Sequence, residues 1–243
     1  QDQDDISLPD RLQKQVSFLN TRPDIFLVGT AAQIIDQNGN VRDLFHRHAT
    51  EDIEIKYELM FDNPFVHSSV MFRKEAVELT GNYSADISIF EDYDLWSRIA
   101  RNFRVANLED VLLRYREVET GMSKSAVDYT ARVKKQSLAN LLFYAKDKNE
   151  KEIARWQDVC DGTYKSLDTV EASRFIQLKL AELTTDFAEV HGVKRDRLKK
   201  IEKKKLNLFV RHLLNQIIND EKTSRLEKLV ARIKRRLLIF LNK

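Results

Sequence analysis

Three carboxylates, Glu91, Asp92 and Asp94, fall within four residues of Phe90-Glu91-Asp92-Tyr93-Asp94-Leu95-Trp96, set among aromatic side chains. Acids grouped in this way can do two things. They can open a helix, where negative charge meets the unpaired amides of the first turn, and Leu95, Trp96, Ile99 and Ala100 then follow at helical spacing on a buried side. Alternatively, one of them can work as a general base, because the largely apolar run from Ile87 to Phe90 would strip water from a carboxylate and favour its taking a proton. The local residues leave both readings open. A second acidic group stands at Asp2-Gln3-Asp4-Asp5, where hard carboxylate oxygens on a short loop suit magnesium or manganese bridging to phosphate oxygens. His67 is a third candidate, although a lone histidine in a strand pattern reads first as a hydrogen-bonded structural group.

The elements that must position these residues follow from periodicity and breakers. Ser7, Pro9 and Asp10 mark the entry to a helix ending near Asn20, with Leu12, Val16 and Leu19 on one face. Ile25 to Ile35 reads as a strand, and Asp36-Gln37-Asn38-Gly39-Asn40 turns it into a hairpin partner from Val41 to Phe45. A helical piece runs from about Glu51 to Met60. After Asn63-Pro64-Phe65, the run from Val66 to Phe72 reads as a strand ending at Arg73. The acidic helix spans Glu91 to about Asn102, and Phe103–Ala106 and Val111–Tyr115 read as two separate strands. From about Ser125 the pattern is helical almost throughout, over Ala126–Lys146, Glu150–Cys160, Ser166–Val190, Lys194–Ile218 and Lys222–Leu241.

Composition agrees with a mixed first part and a helical second. All three prolines lie in the first third, and only Gly162 and Gly192 follow Gly121. With 42% hydrophobic and 33% charged residues among 243, the chain has enough apolar material for a core and is not fibrous or disordered. The single cysteine, Cys160, excludes an internal disulfide and a cysteine-built metal site, which suits a reducing, cytoplasmic setting. Residues 194–243 hold 17 Lys and Arg against 5 Asp and Glu, a net +12, while the rest of the chain carries −9. The last predicted helix places Leu226, Leu229, Val230, Ile233, Leu237, Leu238 and Leu241 on one side, with Arg225, Lys228, Arg232, Arg235 and Arg236 largely off it. That is a basic amphipathic helix.

Taken together, Asp2-Gln3-Asp4-Asp5-Ile6-Ser7-Leu8-Pro9-Asp10-Arg11-Leu12, Asn63-Pro64-Phe65-Val66-His67-Ser68-Ser69-Val70-Met71-Phe72-Arg73, Glu91-Asp92-Tyr93-Asp94-Leu95-Trp96 and Leu112-Leu113-Arg114-Tyr115-Arg116 resemble the family 2 glycosyltransferases of bacteria. The resemblance covers residues 1–124, which match the second half of a GT-A catalytic domain. It implies an α/β fold, a GT-A-like mixed sheet with flanking helices that is incomplete at its N-terminus, followed by an all-α C-terminal region over 125–243. It also implies inverting transfer of a sugar from a nucleotide-sugar donor to a glycan or lipid-linked acceptor in surface polysaccharide synthesis, with a divalent cation, magnesium or manganese.

Residue by residue, Asp4 matches the main metal ligand of the family's Asp-x-Asp element, and Asp2 the acid that helps hold metal or ribose. Asp92 matches the base, and Glu91 the acid that holds the acceptor or orients the loop. Two departures stand out. The family's nucleotide-binding first half would precede Asp2, so the chain beginning at Gln1 is expected to be a fragment that is inactive by itself. Where members often carry a metal-binding histidine after Tyr115-Arg116, this chain offers Glu117 and Glu119. A rival reading makes the protein a non-catalytic interaction module in which the acids are caps, the acid loops lie apart, and the helical half is a docking region. Nucleic acid is not expected as a partner, since the basic tail lacks interleaved aromatics. An anionic membrane surface at the inner face of the cell membrane is, given the last helix.

Overall fold

A computed structural model describes residues 1–84, 90–118, 126–161, 163, 167–220, 223 and 225–240. Residues 87–89 of the apolar run before Glu91, Glu119, and the expected helix ends at Ser166, Lys222 and Leu241 lie outside the described residues. The chain divides into two compact units, Gln1–Asn140 and Leu141–Lys243.

The first unit is a mixed α/β structure. Its strands are β1 (Ile6–Ser7), β2 (Ile25–Ile35), β3 (Val41–His46), β4 (Met71–Phe72) and β5 (Arg104–Arg116), interleaved with α1 (Arg11–Thr21), α2 (Asp52–Glu58), α3 (Lys74–Thr80) and α4 (Glu91–Asn102). The sheet order is β1-β5-β2-β3, with β4 paired to β2. β2 and β5 run parallel at the centre, and each edge strand is antiparallel to its neighbour. β2 is buried along almost its whole length, which is why it reads as a continuous apolar run and not an alternating one. β3 alternates weakly and is exposed, as an edge strand.

Three expected strands came out differently. Phe103 caps the end of α4, and the rest of Phe103–Ala106 joins Val111–Tyr115 in one strand, β5, because the polar Glu109-Asp110 pair is accommodated as a bulge. The partners of Thr30 and Ala31 jump from Leu108 to Val111. The Val66–Phe72 run is mostly not a strand. His67–Ser69 forms a single 3-10 turn, in which the Ser69 amide and hydroxyl both donate to the Val66 carbonyl at 2.8 Å, leaving only Met71 and Phe72 to pair with β2. A serine hydroxyl that satisfies a nearby carbonyl competes directly with the ladder.

α4 begins at Glu91, as its acids and spacing indicate, and buries Tyr93, Leu95, Trp96, Ile99 and Ala100. These pack with Leu27 of β2, Ile55, Leu59, Phe65 and Val105 in the main core. α5 (Ala126–Tyr144) runs across the boundary between the units. Its part up to Asn140 is tied to the first unit, with Ser137 Oγ donating to the Met60 carbonyl at 2.9 Å and Asn140 Nδ2 to the Leu59 carbonyl at 2.7 Å.

The second unit is helical, with α6 (Glu150–Cys160), α7 (Thr169–Val190), α8 (Lys199–Asn219) and α9 (Arg225–Phe240). α7 starts at Thr169 because Asp168 and Glu171 form a reciprocal capping box. Its core gathers Ile153, Trp156, Ile176, Leu180, Leu183, Phe187 and Leu214, and Cys160 is a buried free thiol. Among the described residues, no helix is long and apolar enough to cross a membrane.

Candidate active site

The acidic loop at the start of the chain is held by two arginines and a serine. Arg116 at the end of β5 donates its amide to Asp5 Oδ1 at 2.8 Å and its Nε to the Asp4 carbonyl at 2.8 Å. Ser68 Oγ accepts from the Asp2 amide at 2.9 Å, and Arg11 reaches both the Ser68 carbonyl and Ser7 Oγ. The loop is therefore fixed to β5 and to the turn that carries His67. Asp2, Asp4 and Asp5 each bring one carboxylate oxygen to within 4.8 Å of the others, with Asp2 and Asp4 exposed and Asp5 buried. Burial pushes the Asp5 carboxyl up, against the pull of the Ser68 hydroxyl nearby and the Arg116 amide, and Asp5 Oδ2 is buried without a hydrogen-bond partner.

An orphaned buried oxygen beside two exposed carboxylates fits a hard divalent cation such as magnesium or manganese. It also supplies a third carboxylate that the sequence reading had sought elsewhere. Glu117 instead pairs with Arg42 at 3.6 Å.

Asp92 lies in the first turn of α4 with its side chain 15% exposed. Its Oδ1 accepts from the Tyr93 amide at 2.7 Å, and its Oδ2 accepts from Asn63 Nδ2 at 3.0 Å. Asn63 is itself set by the Phe65 amide, which donates to its Oδ1 at 3.2 Å. The residue before the helix, Phe90, sits in the left-handed region at φ 70°, a conformation that costs a non-glycine residue energy and is held here by packing of its ring against the core.

His67 joins the two acidic groups. Its Nδ1 lies 3.3 Å from Asp92 Oδ2, outside hydrogen-bond alignment, and its Nε2 lies 3.7 Å from Asp2 Oδ1. Asp2 and Asp92 are thus separated by the width of one imidazole. Contact with Asp92 pushes the His67 pKa up, burial opposes this, and the Asp2 charge adds to the rise.

Aromatic rings flank the acids. Trp96 contacts His67 at 6.5 Å between ring centroids, Phe72 at 5.6 Å and Tyr83 at 6.4 Å. The Tyr83 hydroxyl is pushed up by burial and then by the charges of Asp92, Glu91 and Asp2. Glu91 is half-buried in the same first turn. Asp94 is structural. It pairs with Arg98 at 2.8 Å, and Arg98 also donates to the carbonyls of Thr80, Gly81 and Asn82, fixing the segment that leads to Tyr83. A cavity of about 410 Å³ elsewhere in this unit, lined in part by Thr30, Arg47, Glu54 and Asn107, shares no residue with the acidic cleft.

The sequence reading put Asp2, Asp4, Glu91 and Asp92 forward, and the structure brings Asp2 and Asp92 to the two sides of His67, with Asp4 beside Asp2 and Glu91 beside Asp92. It did not single out Asp5, Asn63, Ser68 or Tyr83. The one available signal for Asn63 and Ser68 was their place in the same run as His67.

No family model matches the chain. Curated proteins do. The amylovoran biosynthesis glycosyltransferase AmsE of Erwinia amylovora is 39% identical over 116 residues, 47% of this chain and 42% of the relative. The O-antigen biosynthesis glycosyltransferase WbnJ of Escherichia coli is 36% identical over 132 residues, 53% of this chain and 50% of the relative. The putative glycosyltransferase EpsE of Bacillus subtilis is 32% identical over 133 residues, 54% of this chain and 46% of the relative. The chain is similar to glycosyltransferases. It spans about half the length of the curated relatives it matches.

Proposed function

We propose that this chain is the acceptor-side half of an inverting, GT-A-type glycosyltransferase of family 2. In this reading it moves a sugar from a nucleotide-sugar donor to a glycan or lipid-linked acceptor during surface polysaccharide synthesis, on the cytoplasmic side. The observation that carries the proposal is Asp2 and Asp92 flanking His67, with the Asp2, Asp4 and Asp5 oxygens gathered next to it. The interaction-module reading needs the acid loops to lie apart, and this geometry speaks against it. Similarity to glycosyltransferases of amylovoran and O-antigen biosynthesis supports the substrate class.

Asp92 takes the proton of the acceptor hydroxyl as its oxygen attacks the anomeric carbon. Asn63 and the Tyr93 amide each engage one of its oxygens, which fixes the carboxylate and leaves further lone pairs for the incoming proton. Asp4 and Asp2 would hold the divalent cation, with Asp5 as the third carboxylate. When bound, that cation neutralises the diphosphate leaving group on the donor side. The Tyr83 ring, 42% exposed and backed by the buried Trp96, offers an apolar surface against which a sugar face can lie, and Glu91 is assigned to accept from a second acceptor hydroxyl. The nucleotide itself is held by the half-domain that the family places ahead of the Asp-x-Asp element.

The test is metal-dependent nucleotide release by the complete enzyme. With UDP-, GDP- and dTDP-sugars and a lipid-linked acceptor pool, nucleoside diphosphate should appear with manganese or magnesium, vanish in EDTA, and return on adding metal back. Asp5→Asn should also reduce the rise in Tm that manganese gives the wild type, because a ligand that binds only the folded state stabilises it. Full turnover in EDTA would overturn the metal assignment.

A further inference from the structure

Three residues of the apolar stripe of α9, Leu229, Val230 and Ile233, are left about half-exposed. The helix lies along α8; Ala231 is 2% exposed, and Arg235 Nη1 donates to Asn215 Oδ1 of α8 at 2.9 Å. Leu229 and Ile233 are each two positions away from those residues, which at 3.6 residues per turn puts them on nearly the opposite face. They are 52% and 51% exposed, and Val230 beside them is 42% exposed. A soluble helix ordinarily turns such a stripe into its core. Here Ala231 is buried and Leu229, Val230 and Ile233 stand half-exposed.

Charge indicates what covers it. α9 carries six Lys and Arg against the single Glu227. Arg225 and Arg232 are exposed along one edge of the stripe and Lys234 along the other. Over residues 194–243 the balance is 17 Lys and Arg against 5 Asp and Glu. A second copy of this basic segment would be repelled. A surface that is apolar beneath and anionic at its rim matches both features, because the apolar side chains enter the acyl boundary while the cations meet the headgroups. We infer that α9 docks in the plane of an anionic lipid surface through Leu229, Val230 and Ile233, with Arg225, Arg232 and Lys234 facing the lipid phosphates.

Flotation of the full chain with vesicles of phosphatidylglycerol and phosphatidylethanolamine, against vesicles of phosphatidylcholine alone, tests this. The chain should float with the anionic vesicles at low salt, partly detach at high salt, and stay down with phosphatidylcholine. Leu229→Ser combined with Ile233→Ser should lower partitioning by roughly tenfold or more, since each removes an apolar side chain that would be buried in lipid. Arg232→Glu with Lys234→Glu should abolish the preference for anionic lipid. The account is overturned if the wild type stays down at low salt, or if the serine pair floats equally well. It is also overturned if light scattering shows a dimer that the serine pair dissociates while neither chain floats. Loss of helical circular dichroism in the serine pair would show that the protein's own core covers the stripe, and would equally overturn it.

Discussion

His67 stands between Asp2 and Asp92, one ring nitrogen turned to each. A side chain set between the proposed base and a proposed metal ligand acts on the charge of both without touching the substrate. His67→Ala should therefore lower turnover by about 10- to 100-fold, the usual effect of removing a group that orients metal ligands. It should also raise the manganese concentration needed for half-maximal rate. His67→Asn can keep a nitrogen near Asp92 but cannot reach Asp2, so it should recover turnover more than metal affinity. Equal loss in both quantities for both variants would point to a folding defect. Asp2, Asp4 and Asp92 stand out as candidates in the sequence because acidic clusters and the family resemblance mark them. The part played by His67 is not, since it depends on a 3-10 turn at Ser68 and Ser69 that the strand-like composition of Val66 to Phe72 conceals. Asp5 is hidden for a similar reason, because burial is what distinguishes it from its neighbours.

At the scale of elements, α4 is the piece whose boundaries the chain states most plainly. Its acids mark the first turn and its apolar spacing marks the buried side. What the spacing does not reveal is that Asp94 serves Arg98, and that Arg98 ties α4 to the end of α3 and the segment before Tyr83. The guanidinium makes charge-assisted bonds to Asp94 and to three backbone carbonyls. Arg98→Ala should destabilise the first unit by about 2 kcal/mol, seen as a lower urea midpoint at unchanged slope. Arg98→Lys should recover only part, because an ammonium cannot span the same fork of acceptors. The bulge in β5 shows the complementary failure of local reading. Glu109 and Asp110 look like a turn, yet the ladder resumes beyond them because Asp110 pairs with Lys14 and Glu109 offers its carbonyl to Arg47.

Across the whole molecule, the fold class followed from composition. Prolines and strand formers sit early and helical periodicity follows, while the excess of positive charge is confined to residues 194–243, inside the helical part. The pairing order of the sheet did not follow, because the parallel contact of β2 with β5 joins segments separated by three helices. Convergence of Asp2, His67 and Asp92 depends on that pairing. It is also the basis for assigning proton removal to Asp92 and leaving-group neutralisation to a cation at Asp2 and Asp4. Asp92→Asn in the complete enzyme tests that division most directly, since the amide keeps the size of the side chain and much of its hydrogen bonding but removes the basic oxygen. Turnover should fall by at least ~100-fold with circular dichroism and metal dependence unchanged, and near-normal turnover in that variant would contradict the account.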